Sequence, residues 1–150
     1  MMMFRNDKTK NNENIDEERK QLNILCYSAD VDSIDDFLKN NNVELNYNGG
    51  EPLIFAIRSM VDLYPSASPV SCLNSFKKLV ENGADIHIND DLPIKYAMRK
   101  GVHIIVQYLL ENGRDFQLDE NEVMDYLEQN DDLDPKIRRQ LTAFTPKIRN

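Results

Sequence analysis

The sequence predicts an all-α chain built as a stack of short helix pairs. Three observations lead there. The segments Leu79-Val80-Glu81-Asn82-Gly83-Ala84-Asp85-Ile86 and Leu109-Leu110-Glu111-Asn112-Gly113-Arg114-Asp115-Phe116 lie thirty residues apart and share one pattern. Each reads as the end of an apolar helix, a glycine stop and an acidic residue opening a reversed chain, and recurrence at such a period marks repeat architecture. Apolar residues also return at helical spacing between successive breaks. Finally, prolines and acidic residues stand where helices begin.

The elements follow in order. Residues 1–13 are polar and Asn/Lys-rich after Met1-Met2-Met3-Phe4, and read as a flexible arm. Asn14 with Glu17 is a plausible capping pair, each side chain able to reach an orphan backbone N–H. The first helix is expected to run to about Ser28, with Leu22, Leu25 and Cys26 inward. A second covers Val31 to Lys39, with Val31, Ile34, Phe37 and Leu38 on one face. Asn40-Asn41-Asn42 ends it, Asn being the residue after Gly most tolerant of left-handed backbone.

Val43 to Asn48 is expected to be extended, with Gly49-Gly50 turning it into a helix opened by Pro52. Leu53, Ile54, Phe55, Ala56 and Ile57 make that helix apolar on most sides, which predicts a central place. Pro65 and Pro69 bracket a loop. The next helix carries Cys72, Leu73, Phe76, Leu79 and Val80, and stops at Gly83. Pro93 opens another, with Ile94, Ala97 and Met98 inward. Gly101 separates it from Val102 to Asn112, whose apolar face is Ile105, Val106, Leu109 and Leu110. Asp119 with Glu122 forms a further capping pair, and Asp134-Pro135 starts a last helix carrying Ile137, Leu141 and Phe144.

Composition narrows the function classes. The chain has 150 residues, 41% of them apolar, enough for one compact domain or a short solenoid. A net charge of −8 argues against nonspecific attraction to nucleic acid or anionic membrane. No apolar run approaches membrane-spanning length, and the N-terminus lacks the apolar core of a secretion signal, so a soluble cytoplasmic protein is expected. Cys26 and Cys72 lie within apolar helical patterns without metal-ligand spacing, as small buried hydrophobes in a reducing compartment.

These residues resemble ankyrin repeats, whose unit is about 33 residues, a β-turn and two antiparallel helices. The resemblance is best in Leu92-Pro93-Ile94-Lys95-Tyr96-Ala97 followed by Gly101, in Gly83-Ala84-Asp85, and in Glu51-Pro52-Leu53-Ile54-Phe55-Ala56. Phase agrees: Leu22, Leu53 and Ile94 share one repeat position, Leu25, Ala56 and Ala97 another, and Cys26, Ile57 and Met98 a third. The resemblance implies an ankyrin-repeat solenoid of about three repeats over residues 14–118, with 119–150 as a C-terminal capping helix pair. The second repeat is long, with Val61 to Val70 inserted, and the third is short. No unit has the full Thr-Pro-Leu-His start. Short-turn units in Asn-, Ile- and Lys-rich chains are similar to ankyrin proteins of large DNA viruses and some intracellular bacteria, which implies a host protein as target and host cytoplasm as location.

Catalysis finds little support. His87 and His103 have no cysteine, serine or acid at a catalytic or metal-binding spacing. Asp30-Val31-Asp32-Ser33-Ile34 resembles the Asp-x-Asp nucleophile motif of haloacid-dehalogenase-type phosphotransferases. Its helical flanks favour helix capping instead, with Asp35 and Asp36 near the positive helix start. The same run lacks the glycine of a calcium loop, and the five glycines build no phosphate cradle. No catalytic residue, metal, cofactor or small-molecule substrate is therefore expected, and the partner is expected to be another protein.

In an ankyrin-like stack the turn tips and the exposed side of each first helix line a concave surface. Phase places Tyr27, Arg58 and Arg99 at one equivalent position there, with Ser59 and Lys100 beside them. The corresponding turn tips carry Tyr47, Asn48, Asn89 and Asp90. Arg and Tyr are residue types that anchor interfaces. The 61–70 loop, carrying Leu63 and Tyr64, is a second candidate surface. An alternative reading makes the chain an acidic inhibitor that mimics nucleic acid through Asp32, Asp35 and Asp36.

Overall fold

A computed structural model describes residues 12–144. Among them there are eight α-helices and no strand, so the chain is all-α. It divides into two compact units, Met1–Asp85 and Ile86–Asn150.

The first unit contains α1 (Asn12–Ser28), α2 (Val31–Asn40), a 3-10 turn (Tyr47–Gly49), α3 (Glu51–Leu63) and α4 (Pro69–Glu81). α1 packs on α2 and α3, α2 on α4, and α3 on α4, so α1 and α3 form one layer and α2 and α4 the other. The core between them holds Leu22, Cys26, Ile34, Leu53, Ile57, Cys72, Phe76 and Leu79, all fully buried. Each large aliphatic or aromatic side chain removed from water contributes about 1.5–3 kcal/mol, which helices this short need in order to persist.

The second unit repeats the scheme with α5 (Ile88–Lys100), α6 (His103–Asn112), α7 (Glu120–Gln129) and α8 (Pro135–Thr142). α5 packs on α6 and α7, α6 on α8, and α7 on α8. Ile94, Ile105, Val106, Leu109, Val123, Ile137 and Leu141 fill its core.

A shared device ends the helices. Asn41, Asn82, Asn112 and Asn130 each donate a side-chain amide to the carbonyl four residues earlier, those of Phe37, Lys78, Tyr108 and Tyr126, at 3.0, 2.8, 2.9 and 2.7 Å. Each bond adds a side-chain donor at the helix end, and the Lys78 carbonyl takes the Asn82 backbone N–H as well, at 3.2 Å. For α2 this replaces the expected left-handed stop, since Asn41 is extended with φ −137°.

Other local expectations change as well. Asn12 is already helical, so Asn14 lies inside α1 rather than capping it, and most of the expected arm falls outside the described residues. Asp119 does cap α7, accepting from the Asn121 N–H at 3.0 Å, but Glu122 turns to Arg99 rather than back to the backbone. α8 ends at Thr142, leaving Phe144 in a turn. The segment expected to be extended before α3 closes into the 3-10 turn, which buries Leu45 and Tyr47. Before the regular part of α5, Asn89, Asp90 and Asp91 take three consecutive left-handed conformations, φ 55°, 56° and 61°. The Asp91 carboxylate holds that turn: it is buried, pairs with His87 Nδ1 and accepts from the Gln117 N–H at 2.7 Å.

Candidate functional site

The first unit exposes an apolar groove between its two first-layer helices. On α1, Lys20, Ile24 and Tyr27 sit four and then three residues apart, so they stack on one face. On α3, Phe55, Arg58 and Asp62 sit three and then four residues apart and likewise share a face. Because α1 packs on α3, the two stripes border a groove of about 330 Å3 lined by Lys20, Asn23, Ile24, Tyr27 and Phe55. Ile24 stands 64% exposed there, where a large aliphatic side chain would ordinarily be covered.

The wall of this groove is organised. Tyr27 and Phe55 meet edge to face, centroids 6.0 Å apart and planes at 86°, the arrangement favoured by aromatic quadrupoles. Arg58 lies over both rings, its guanidinium carbon 5.6 Å from the Tyr27 centroid and 5.1 Å from that of Phe55. One carboxylate oxygen, Asp62 Oδ2, accepts from Tyr27 Oη at 3.0 Å and lies 3.4 Å from Arg58 Nη2. The bond to Asp62 raises the Tyr27 phenol above its ordinary value, with desolvation adding to it. Behind the groove, Asn23 donates to Glu51 Oε1 at 2.7 Å, while Tyr47 Oη lies 2.7 Å from Asn23 Oδ1 and 3.2 Å from the Arg19 carbonyl.

The expected contact residues therefore separate. Tyr27 and Arg58 are brought together, half-exposed, on this groove. Tyr47 is not a surface tip: it is buried, and burial raises its phenol above the ordinary value. Ser59 is likewise buried, its hydroxyl donating to the Ala56 carbonyl at 2.6 Å, so it has no surface to offer a partner. Asn48 is exposed beside the 3-10 turn, 3.3 Å from Glu51. In the second unit Asn89, Asp90, Arg99 and Lys100 are exposed. Arg99 there borders a second cleft, also about 330 Å3, whose lining includes Lys95, Met98, Glu122, Asp125 and Tyr126. Arg99 Nη2 lies 3.4 Å from Glu122, a distance at which an exposed pair contributes little.

Of the five lining residues only Tyr27 was nominated in sequence; Lys20, Asn23, Ile24 and Phe55 were missed. Phe55 reads as core in a helix that is apolar on most sides, yet it is only half-buried. Ile24 sits off the stripe defined by Leu22, Leu25 and Cys26, and that displacement was the available signal.

The remaining candidates have structural partners. His87 packs on Phe116 with ring centroids 4.8 Å apart, and His103 Nδ1 lies 2.6 Å from Tyr126 Oη. Asp30 caps α2, accepting from the Ser33 N–H at 3.2 Å. Asp35 is held by Lys39 at 2.9 Å and Lys78 at 3.4 Å; the Lys39 bond, ahead of the others, keeps its carboxyl below the usual range. Cys26 and Cys72 are buried free thiols, and burial pushes Cys72 up to about 11 and Cys26 higher still. Neither is a thiolate nucleophile near neutral pH. Among the described residues no group of three or more His, Cys, Asp or Glu is placed to hold a metal, and no helix is long and apolar enough to cross a membrane. No protein-family model, curated protein or solved structure matches this chain.

Proposed function

We propose that this chain is a non-catalytic protein-binding module of ankyrin-repeat type, and that the α1–α3 groove is its contact surface. The observation that carries the reading is Ile24, a large aliphatic residue left exposed beside an ordered Tyr27–Phe55–Arg58 cluster. Clusters of exposed apolar and aromatic side chains backed by a rigid scaffold are the usual anchors of protein recognition. The repeat reading is supported by the packing order within each unit, first helices against first and second against second, and by the recurring Asn cap. The short-turn resemblance makes a host protein in the cytoplasm the expected target. The acidic-mimic alternative is disfavoured at Asp35, whose charge is already met by Lys39 and Lys78.

The test is affinity capture from a eukaryotic lysate, with Ile24→Asp and Arg58→Glu chains run in parallel. A stoichiometric partner held by the wild type and lost from both variants is the expected result. A partner kept by both variants, or one lost only on neutralising Asp32 and Asp36, would overturn the assignment of this face.

A further inference from the structure

The sequence contains three Asn-Gly steps, Asn48-Gly49, Asn82-Gly83 and Asn112-Gly113. At such a step the glycine nitrogen can attack the asparagine side-chain carbonyl carbon, because the glycine has no Cβ to block the approach. All three asparagines are exposed, so solvent access does not rank them. What holds each side chain does. The Asn82 amide donates to the Lys78 carbonyl at 2.8 Å, and the Gly83 N–H to the Val80 carbonyl at 3.1 Å. The Asn112 amide donates to the Tyr108 carbonyl at 2.9 Å, and the Gly113 N–H to the Leu109 carbonyl at 2.8 Å. Both side chains are turned back onto their helices. Asn48 is held less firmly. Its amide reaches Glu51 Oε1 at 3.3 Å, an oxygen that already accepts from Asn23 at 2.7 Å. It sits in a 3-10 turn of three residues, a helix type with poorer hydrogen-bond geometry. Its φ of 49° is left-handed backbone, disfavoured for a residue bearing a Cβ, so opening the turn releases strain.

We infer that Asn48-Gly49 is a self-modifying site, whose asparagine converts to aspartate and isoaspartate ahead of the other two. The Gly49 nitrogen bonds to Asn48 Cγ and the Cγ–Nδ2 bond breaks. The amide leaves as ammonia, taking the proton that the glycine nitrogen gives up. Water, the one co-reactant, then opens the cyclic imide. Cleavage between the nitrogen and Cγ gives aspartate. Cleavage between the nitrogen and the backbone carbonyl carbon gives isoaspartate, which lengthens the main chain by one carbon. The same turn seats Tyr47, whose hydroxyl lies 2.7 Å from Asn23 Oδ1, and Asn23 in turn donates to Glu51. Either product sets a second carboxylate beside Glu51 where a donor stood, and isoaspartate also shifts the backbone that carries Tyr47. The seam between α1 and α3 is where the modification acts. This inference stands whether or not the groove binds a protein.

The experiment ages the full chain in mildly alkaline buffer beside Asn48→Gly, which keeps the left-handed backbone and removes the amide. Peptide mapping by mass spectrometry follows the amide-to-acid mass gain at each step, and isoaspartyl methyltransferase labels the rearranged product. Asn48 is expected to convert about tenfold faster than Asn82 or Asn112, the difference that one hydrogen bond makes to local opening. Asn48→Gly is expected to lose the early methyltransferase label. Conversion that begins at Asn82 or Asn112, or equal rates at all three, would overturn the inference. Asn48→Asp tests the consequence apart from the chemistry. It is expected to melt about 1–3 °C below the wild type at low salt, with the gap narrowing at high salt. An unchanged melting temperature would overturn the effect assigned to the new carboxylate.

Discussion

The tripeptide Glu-Asn-Gly closes α4 in the first unit and α6 in the second, and the two glycines are there for different reasons. Gly83 has φ +106°, a backbone that side-chain-bearing residues rarely adopt, and an added Cβ would meet nothing within 4 Å. It permits Ala84 N–H to close back on the Leu79 carbonyl at 3.0 Å, and Asn46 then bridges the turn, donating to the Gly83 carbonyl at 3.3 Å and accepting from the Asp85 N–H at 2.8 Å. Gly113 has extended backbone, φ −124°. Its added Cβ would lie 2.6 Å from Phe116 Cζ and 2.8 Å from Ile86 Cδ1. Gly83 answers a conformational need, Gly113 a packing one. One sequence motif thus solves two unrelated problems, and repetition of residues does not guarantee repetition of cause.

That comparison can be broken by substitution. Gly113→Ala is expected to have the largest effect, about 2–3 kcal/mol in urea denaturation, because Phe116 is buried against His87 and cannot swing clear. If it costs under about 0.5 kcal/mol, the packing account of Gly113 is wrong. Gly83→Ala is expected to cost about 1–2 kcal/mol through backbone strain alone. Gly83→Asn should recover part of that loss, since Asn tolerates left-handed backbone, whereas Gly113→Asn should be worse than Gly113→Ala. The same ranking for both glycines would collapse the distinction. Smallest, and alike in both units, are Asn82→Ala and Asn112→Ala at about 0.5–1 kcal/mol each, since each removes one side-chain bond to a helix-end carbonyl. Unequal losses there would show that the shared cap is not energetically shared.

Much of the helical layout was legible in the sequence. Prolines near helix starts and apolar spacing located α3, α4, α6 and α8 to within a few residues, because these signals act between near neighbours along the chain. The candidate site was legible in part. Phase brought Tyr27 and Arg58 to one side of their helices, and the structure joins them at the groove. Phase also nominated Ser59 and Tyr47, which the fold buries. Ser59 goes inward because α4 arrives against its side of α3 and brings Cys72 beside its hydroxyl, whereas Lys100 at the equivalent position stays exposed; Tyr47 goes inward because the 3-10 turn carries its ring onto Asn23 and Arg19.

By itself, then, the sequence determined that this protein is helical, where most helices stop, and which stripes form the cores. Those outcomes depend on rotamer, proline, capping and periodicity effects spanning a few residues. Only the tertiary structure decided that Ile24 stays uncovered while Ser59 is sealed, that Glu122 reaches Arg99 instead of its own backbone, and that Gly113 faces Phe116. Each of these turns on which distant segment arrives alongside, and exposure, ion pairing and close packing are properties of that arrival rather than of the residue.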